Sequence, residues 1–87
     1  MLFRSKQLVL DFNHDAHPWH TVFTVSGADQ AGLLLAISSA LSAAAVQVHH
    51  ASISTAKGIV TDRFEVSDRH GRKITERAIN HVTRALI

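Results

Sequence analysis

An α+β sandwich, two helices laid against one face of a sheet that leans antiparallel, is the fold this sequence predicts. Three observations carry the prediction. Segments rich in β-branched and aromatic residues, Thr21-Val22-Phe23-Thr24-Val25 foremost, suit a pleated, half-buried surface. Two other segments repeat their apolar residues at helical spacing. The segments follow one another as ββαββα, an order for which right-handed crossovers leave few topologies.

Leu8-Val9-Leu10-Asp11-Phe12 reads as the first strand. Residues 13–20 then supply polar turn residues and the single proline, Pro18, which is the grammar of a hairpin, although the loop is long for one. Trp19 in that loop reads as a packed anchor. His14, His17 and His20 recur at every third position, but an extended loop does not converge three rings at that spacing, and no carboxylate support is evident. They are expected to be solvated turn histidines, with no metal.

The second strand, residues 20–26, runs through Ser26-Gly27-Ala28-Asp29-Gln30-Ala31-Gly32-Leu33-Leu34 into a helix over 30–45. Its apolar face is Leu33, Leu34, Ile37, Leu41 and Ala44, with Ser38, Ser39 and Ser42 opposite and Leu35 stranded among them. Asp29 is expected to cap the orphan amides of the first turn, and Gly32 to allow a close backbone or ligand approach. A strand feeding a capped helix through small residues is a ready ligand seat.

Residues 46–55 form the predicted third strand. Val46 and Val48 lie in one phase and Ala51 and Ile53 in the other, so a β-bulge is expected at His49-His50. Ala56-Lys57-Gly58 makes a tight connection to a fourth strand over 59–67, with Val60, Phe64 and Val66 facing one way. Asp62 shares that apolar phase, which places it either at the sheet margin or buried among hydrogen-bond donors, in a structural role. After the turn Asp68-Arg69-His70-Gly71-Arg72, Thr75 caps a last helix carrying Ala78, Ile79, Val82, Ala85 and Leu86.

Eighty-seven residues suffice for one domain with a small core. Hydrophobic residues at 46% and charged residues at 18% are an ordinary globular balance, and no apolar run approaches the roughly 20 residues of a membrane span. The absence of cysteine removes disulfides and thiolate metal sites and fits a reducing, cytoplasmic setting. A net charge of +2 does not argue for nucleic acid; Arg69, Arg72, Lys73 and Arg77 read as a solvated turn and helix start, and no RNA-binding signature surrounds the four Phe or the Trp. Catalysis by this chain is not expected, because no nucleophile, base and orienting group stand in committed positions.

The segment from Val22 to Leu34, followed by Ala51-Ser52-Ile53-Ser54-Thr55 and Asp62-Arg63-Phe64-Glu65-Val66-Ser67-Asp68, resembles an ACT domain over nearly the whole chain. It is most similar to the C-terminal ACT domains of bifunctional PII-protein uridylyltransferase and uridylyl-removing enzymes. Those carry an Asp-Arg-Pro-Gly-Leu-Leu turn, here Asp29-Gln30-Ala31-Gly32-Leu33-Leu34, and an Asp-x-Phe-x-Val strand, here Asp62, Phe64 and Val66. Gln30 and Ala31 replace Arg and Pro, so no arginine contact is carried over.

The resemblance implies a ferredoxin-like fold and a regulatory domain, a C-terminal piece of a larger cytoplasmic nucleotidyltransferase, that does no chemistry itself. It implies binding of an amino acid, with glutamine a candidate, and pairing with another ACT domain by self-association or in tandem. Asp29, Gln30, Ala31, Gly32, Leu33 and Leu34 are then the ligand candidates, with Gln47 where relatives often have Asn. The competing expectation is a pure oligomerisation domain, or a free-standing ACT regulator. Standard ACT domains run βαββαβ, whereas the last element predicted here is a helix. The first strand is therefore expected to take the vacant edge beside the second, giving the spatial order first, second, fourth, third.

Overall fold

The computed structural model describes residues 1–5 and 7–87. Its chain order is β1 (Leu2–Arg4), β2 (Leu8–Asn13), β3 (Thr21–Ala28), α1 (Leu33–Ala43), β4 (Gln47–Ala56), β5 (Ile59–Ser67) and α2 (Glu76–Leu86). The five strands form one sheet, ordered β1-β2-β3-β5-β4, with every neighbouring pair antiparallel. The expected pairing holds, since β2 lies antiparallel against β3 from Leu8↔Gly27 to Asn13↔Val22, but β2 is not the edge: β1 covers its outer side. The sequence reading missed β1, whose three residues are too short to show a period.

Alternation along the strands becomes a core on the helical face. Leu8, Leu10 and Phe12 of β2, Phe23 and Val25 of β3, and Phe64 and Val66 of β5 are buried with Leu33, Ile37, Ala40 and Leu41 of α1 and Ile79 and Val82 of α2. Phe12, Phe23 and Phe64 sit side by side in the register. The first two rings stack at 4.4 Å and the last two lie 6.0 Å apart. Such offset aromatic contacts add to the area they bury.

Helix α1 starts at Leu33, three residues later than the periodicity suggests, because Gly32 adopts a left-handed φ of 78° in the N-cap position. No side chain caps it. Asp29 instead ends the strand, its amide donating to the Gly58 carbonyl at 2.9 Å. The close approach expected at Gly32 belongs to Gly27, where a Cβ would collide with the Gln7 carbonyl oxygen; at Gly32 it would meet no described residue within 4 Å. Leu34, assigned to the apolar face, is half out of the core at 49% exposure, while Leu35 is exposed as expected.

The helix closes on Ala45, at φ 57°, with Ala45 N–H donating to the Ser42 carbonyl and Val46 N–H to that of Leu41. That pair of bonds is a Schellman ending, made here without glycine. The bulge falls where the phase slip put it, between Val48 and His50. Lys57 and Gly58, both at positive φ, form the two-residue turn whose twist suits a hairpin. Thr75 caps α2, its hydroxyl accepting from Ala78 N–H at 3.2 Å. Neither described helix is long and apolar enough to cross a membrane.

Candidate functional site

Where β3 passes into α1, a cavity of about 220 Å³ opens between the turn and the β4–β5 hairpin. Its lining includes Asp29, Gln30, Gly32, Leu33 and Leu34 from the turn and helix start, and Ile53, Val60 and Asp62 from the strands. Gly32, Leu33, Leu34 and Leu35 bring the start of α1 to its lining. Among the described residues, the first-turn amides of Leu34 and Leu35 donate to no carbonyl or side chain outside the helix. Free amides at a helix start attract anionic groups.

Asp62 is the residue whose placement the sequence left open, and neither alternative holds. It lies in the middle of β5, between Val25 on β3 and Ile53 on β4. It is 2% exposed, yet among the described residues its Oδ1 finds no hydrogen-bond partner. Burial pushes its carboxyl above the ordinary value, and the charge of Asp29 pushes it further. Among the described residues, no Lys or Arg lines the cavity.

The other sequence candidates separate. Ala31 faces a different depression, shared with Gln7, Leu8 and Ala85. Gln47 opens β4 opposite Ser67, whereas the β4 residues at the cavity are Ile53 and Thr55. At about 3.3 Å per residue, Gln47 lies roughly 20 Å from Ile53 along the strand.

The loop histidines are half-buried rather than solvated. His14 Nδ1 bonds Thr21 Oγ1 at 2.9 Å, apart from the other two. His17 Nε2 lies 3.1 Å and His20 Nδ1 3.9 Å from Glu65 Oε1, and the His20 ring stacks between His17 at 4.6 Å and His49 at 4.1 Å. Loop spacing could not announce this cluster, because Glu65 and His49 arrive from β5 and β4. Its hydrogen bonds describe a clasp. His17 Nδ1 accepts the amides of Trp19 and His20, both at 3.1 Å, so the ring proton sits on Nε2 toward Glu65. A metal on Nε2 would send that proton to Nδ1, into two N–H donors. Trp19, read as an anchor, is 70% exposed and only meets the His17 ring edge-on.

Residues 16–87 match the family model described as the ACR family N-terminal ACT domain. The chain belongs to the ACT-domain family. As an ACT domain it is 41% identical over 66 residues to a bifunctional uridylyltransferase/uridylyl-removing enzyme of Rhodospirillum rubrum, covering 76% of this chain and 7% of that protein. It is 46% identical over 57 residues to the enzyme of the same name from Gluconobacter oxydans, covering 66% of this chain and 6% of that one. The chain thus spans less than a tenth of the length of these curated relatives. No solved structure matches it. The family assignment agrees with the ferredoxin-like α+β architecture, with β2 in the place beside β3 and β1 outside it.

Proposed function

We propose that this domain senses an amino acid at the β3–α1 turn and passes that occupancy to an attached uridylyltransferase/uridylyl-removing enzyme, with glutamine the first candidate. The single observation that carries this reading is the cavity itself, which sets uncapped first-turn amides and two carboxylates around one small, partly apolar space. The amides suit an α-carboxylate and the carboxylates an α-ammonium. Catalysis belongs to the attached enzyme. Gln47 is too far along β4 to serve the cavity of its own chain, so any part it has in binding is played in a second ACT domain's site.

Calorimetry of this 87-residue chain against the twenty amino acids tests the reading: saturable heat with one or a few of them is expected. Flat isotherms throughout would favour a pure oligomerisation domain. That second reading has an observation of its own. Every residue of β4 is exposed, and an apolar groove of about 450 Å³ runs between it and α1, lined by Leu34, Leu41, Val46, Val48, Ile53 and Phe64 among others. A second copy laid along that edge would cover both.

A further inference from the structure

Buried carboxylates in folded proteins are paired, because an uncompensated charge out of water costs several kcal/mol. Asp62 breaks that rule inside the cavity at the β3–α1 turn. Its residue surface is 2% exposed, its Oδ1 has no partner among the described residues, and the side chains of the neighbours imposed by the sheet register, Val25 and Ile53, offer nothing to bond. Among the described residues, the only other ionisable one in the lining is Asp29, of the same sign. A chain that needed Asp62 only for packing would gain by carrying an apolar residue in this row, where Phe64 and Val66 continue the same face.

We propose that Asp62 is the receptor for the ammonium group of a small primary amine, with Asp29 at the rim adding to the attraction, so that charge on the ligand's nitrogen is the first requirement for entry. The inference rests on the amino-acid reading of this cavity and deepens it, by naming the residue that recognises the amine. The chemistry favours an ammonium over a bare cation. Leu33, Leu34, Ile53 and Val60 wall the same space, which suits a charged nitrogen on a hydrocarbon stem rather than a hydrated divalent ion. Ligand entry supplies donors: an ammonium carries three N–H bonds to a pair of carboxylates beside which no described Lys or Arg lines the cavity.

The test compares the wild-type chain with Asp62→Asn, using L-glutamine, glycine, n-propylamine hydrochloride and Nα-acetyl-L-glutamine as probes in calorimetry, with the Asp62 carboxyl carbon followed by NMR. The expected result is that at least one free amine binds the wild type and shifts the Asp62 signal. The acetylated probe does neither, and Asp62→Asn weakens amine binding about thirtyfold or more. The variant should also melt at a higher temperature than the ligand-free wild type, since it removes a charge from an apolar row. A purely structural Asp62 would lower it. Equal amine binding by Asp62→Asn, or equal binding of the acetylated probe, overturns this inference and leaves the amino-acid reading standing. A drop in melting temperature with Asp62→Asn overturns it too, as does calcium chloride binding in place of the amines. An Asp62 shift with propylamine and flat isotherms for all twenty amino acids upholds the receptor while the amino-acid reading falls. Silence from every probe and every amino acid ends both.

Discussion

The two edges of the sheet are built on opposite principles. Toward one edge β2 buries Leu8, Leu10 and Phe12 and the outermost strand β1 pairs with it over three residues, with the Met1 nitrogen donating to the Phe12 carbonyl at 2.7 Å and Phe12 N–H to the Met1 carbonyl at 2.8 Å. A strand that short offers little template for another chain. At the other edge β4 runs ten residues, every one exposed, with Val48, Ile53 and, across the turn, Ile59 about half out of contact. The candidate cavity opens beside this second edge. One side of the domain is covered by its own strands β1 and β2, and the side that holds the cavity is not, so under the proposed function stability and recognition fall to different strands.

The sharpest way to break that division is on the covered side. Phe12→Ala removes a ring stacked on Phe23 and met edge-on by Phe3 at 6.2 Å, and should cost about 3–5 kcal/mol in chemical denaturation. If the division is right, whatever fraction stays folded keeps its amino-acid response; a selective loss of response would tie the two edges together. Gly32→Ala comes next. The added methyl meets no described residue, so the cost is the left-handed backbone alone, about 1 kcal/mol in melting experiments. A much larger loss would mean that the turn is packed rather than open.

Val48→Lys probes the open edge without touching the cavity lining. Its stability should stay within about 0.5 kcal/mol of wild type, and sedimentation should show weaker self-association than wild type at matched concentration. Unchanged sedimentation would take β4 out of any interface.

The smallest effect is in acid, where two carboxyls oppose one another. Asp62 is held above its ordinary value, so the folded state takes up its proton first and stability rises as pH falls from that raised value toward the ordinary one, near about 4. Asp68 is held below its ordinary value, chiefly by the Arg72 amide at 2.9 Å and also by that of His70 at 2.8 Å. Its contribution is present above the ordinary value and lost as pH falls through the lowered one. Wild-type stability should therefore rise and then decline on acidification, whereas Asp62→Asn should show only the decline. A melting series from neutral pH downward reads both.

Much of this was legible in the residues. Period-two runs located four of the five strands, the slip at His49-His50 located the bulge, and Thr75 marked the start of α2 because its hydroxyl is the cap. Helix α1 was placed too early because Gln30 and Ala31 are good helix formers, and nothing local reveals that Gly32 turns left-handed. Asp29 has a capping side chain but is spent on ending β3. The cavity was half legible: the turn announced one wall, while Asp62, Ile53 and Val60 join it only through a register that pairs residues far apart in sequence. The His17, His20 and Glu65 clasp was hidden for the same reason.

The β3–β5 register has a further consequence, in the order of assembly. Strands β2 and β3 make one hairpin and β4 and β5 another, each built from near neighbours, and the Lys57-Gly58 turn can close the second within microseconds. The seam between them joins residues from 31 apart, Ala28 to Ile59, to 45 apart, Thr21 to Val66. Pairing along that seam has the largest sequence separation in the sheet and is expected to weigh most on the folding rate. Because the cavity spans the seam, an occupant joins both hairpins at once, and its clearest kinetic signature would be slower unfolding rather than faster folding.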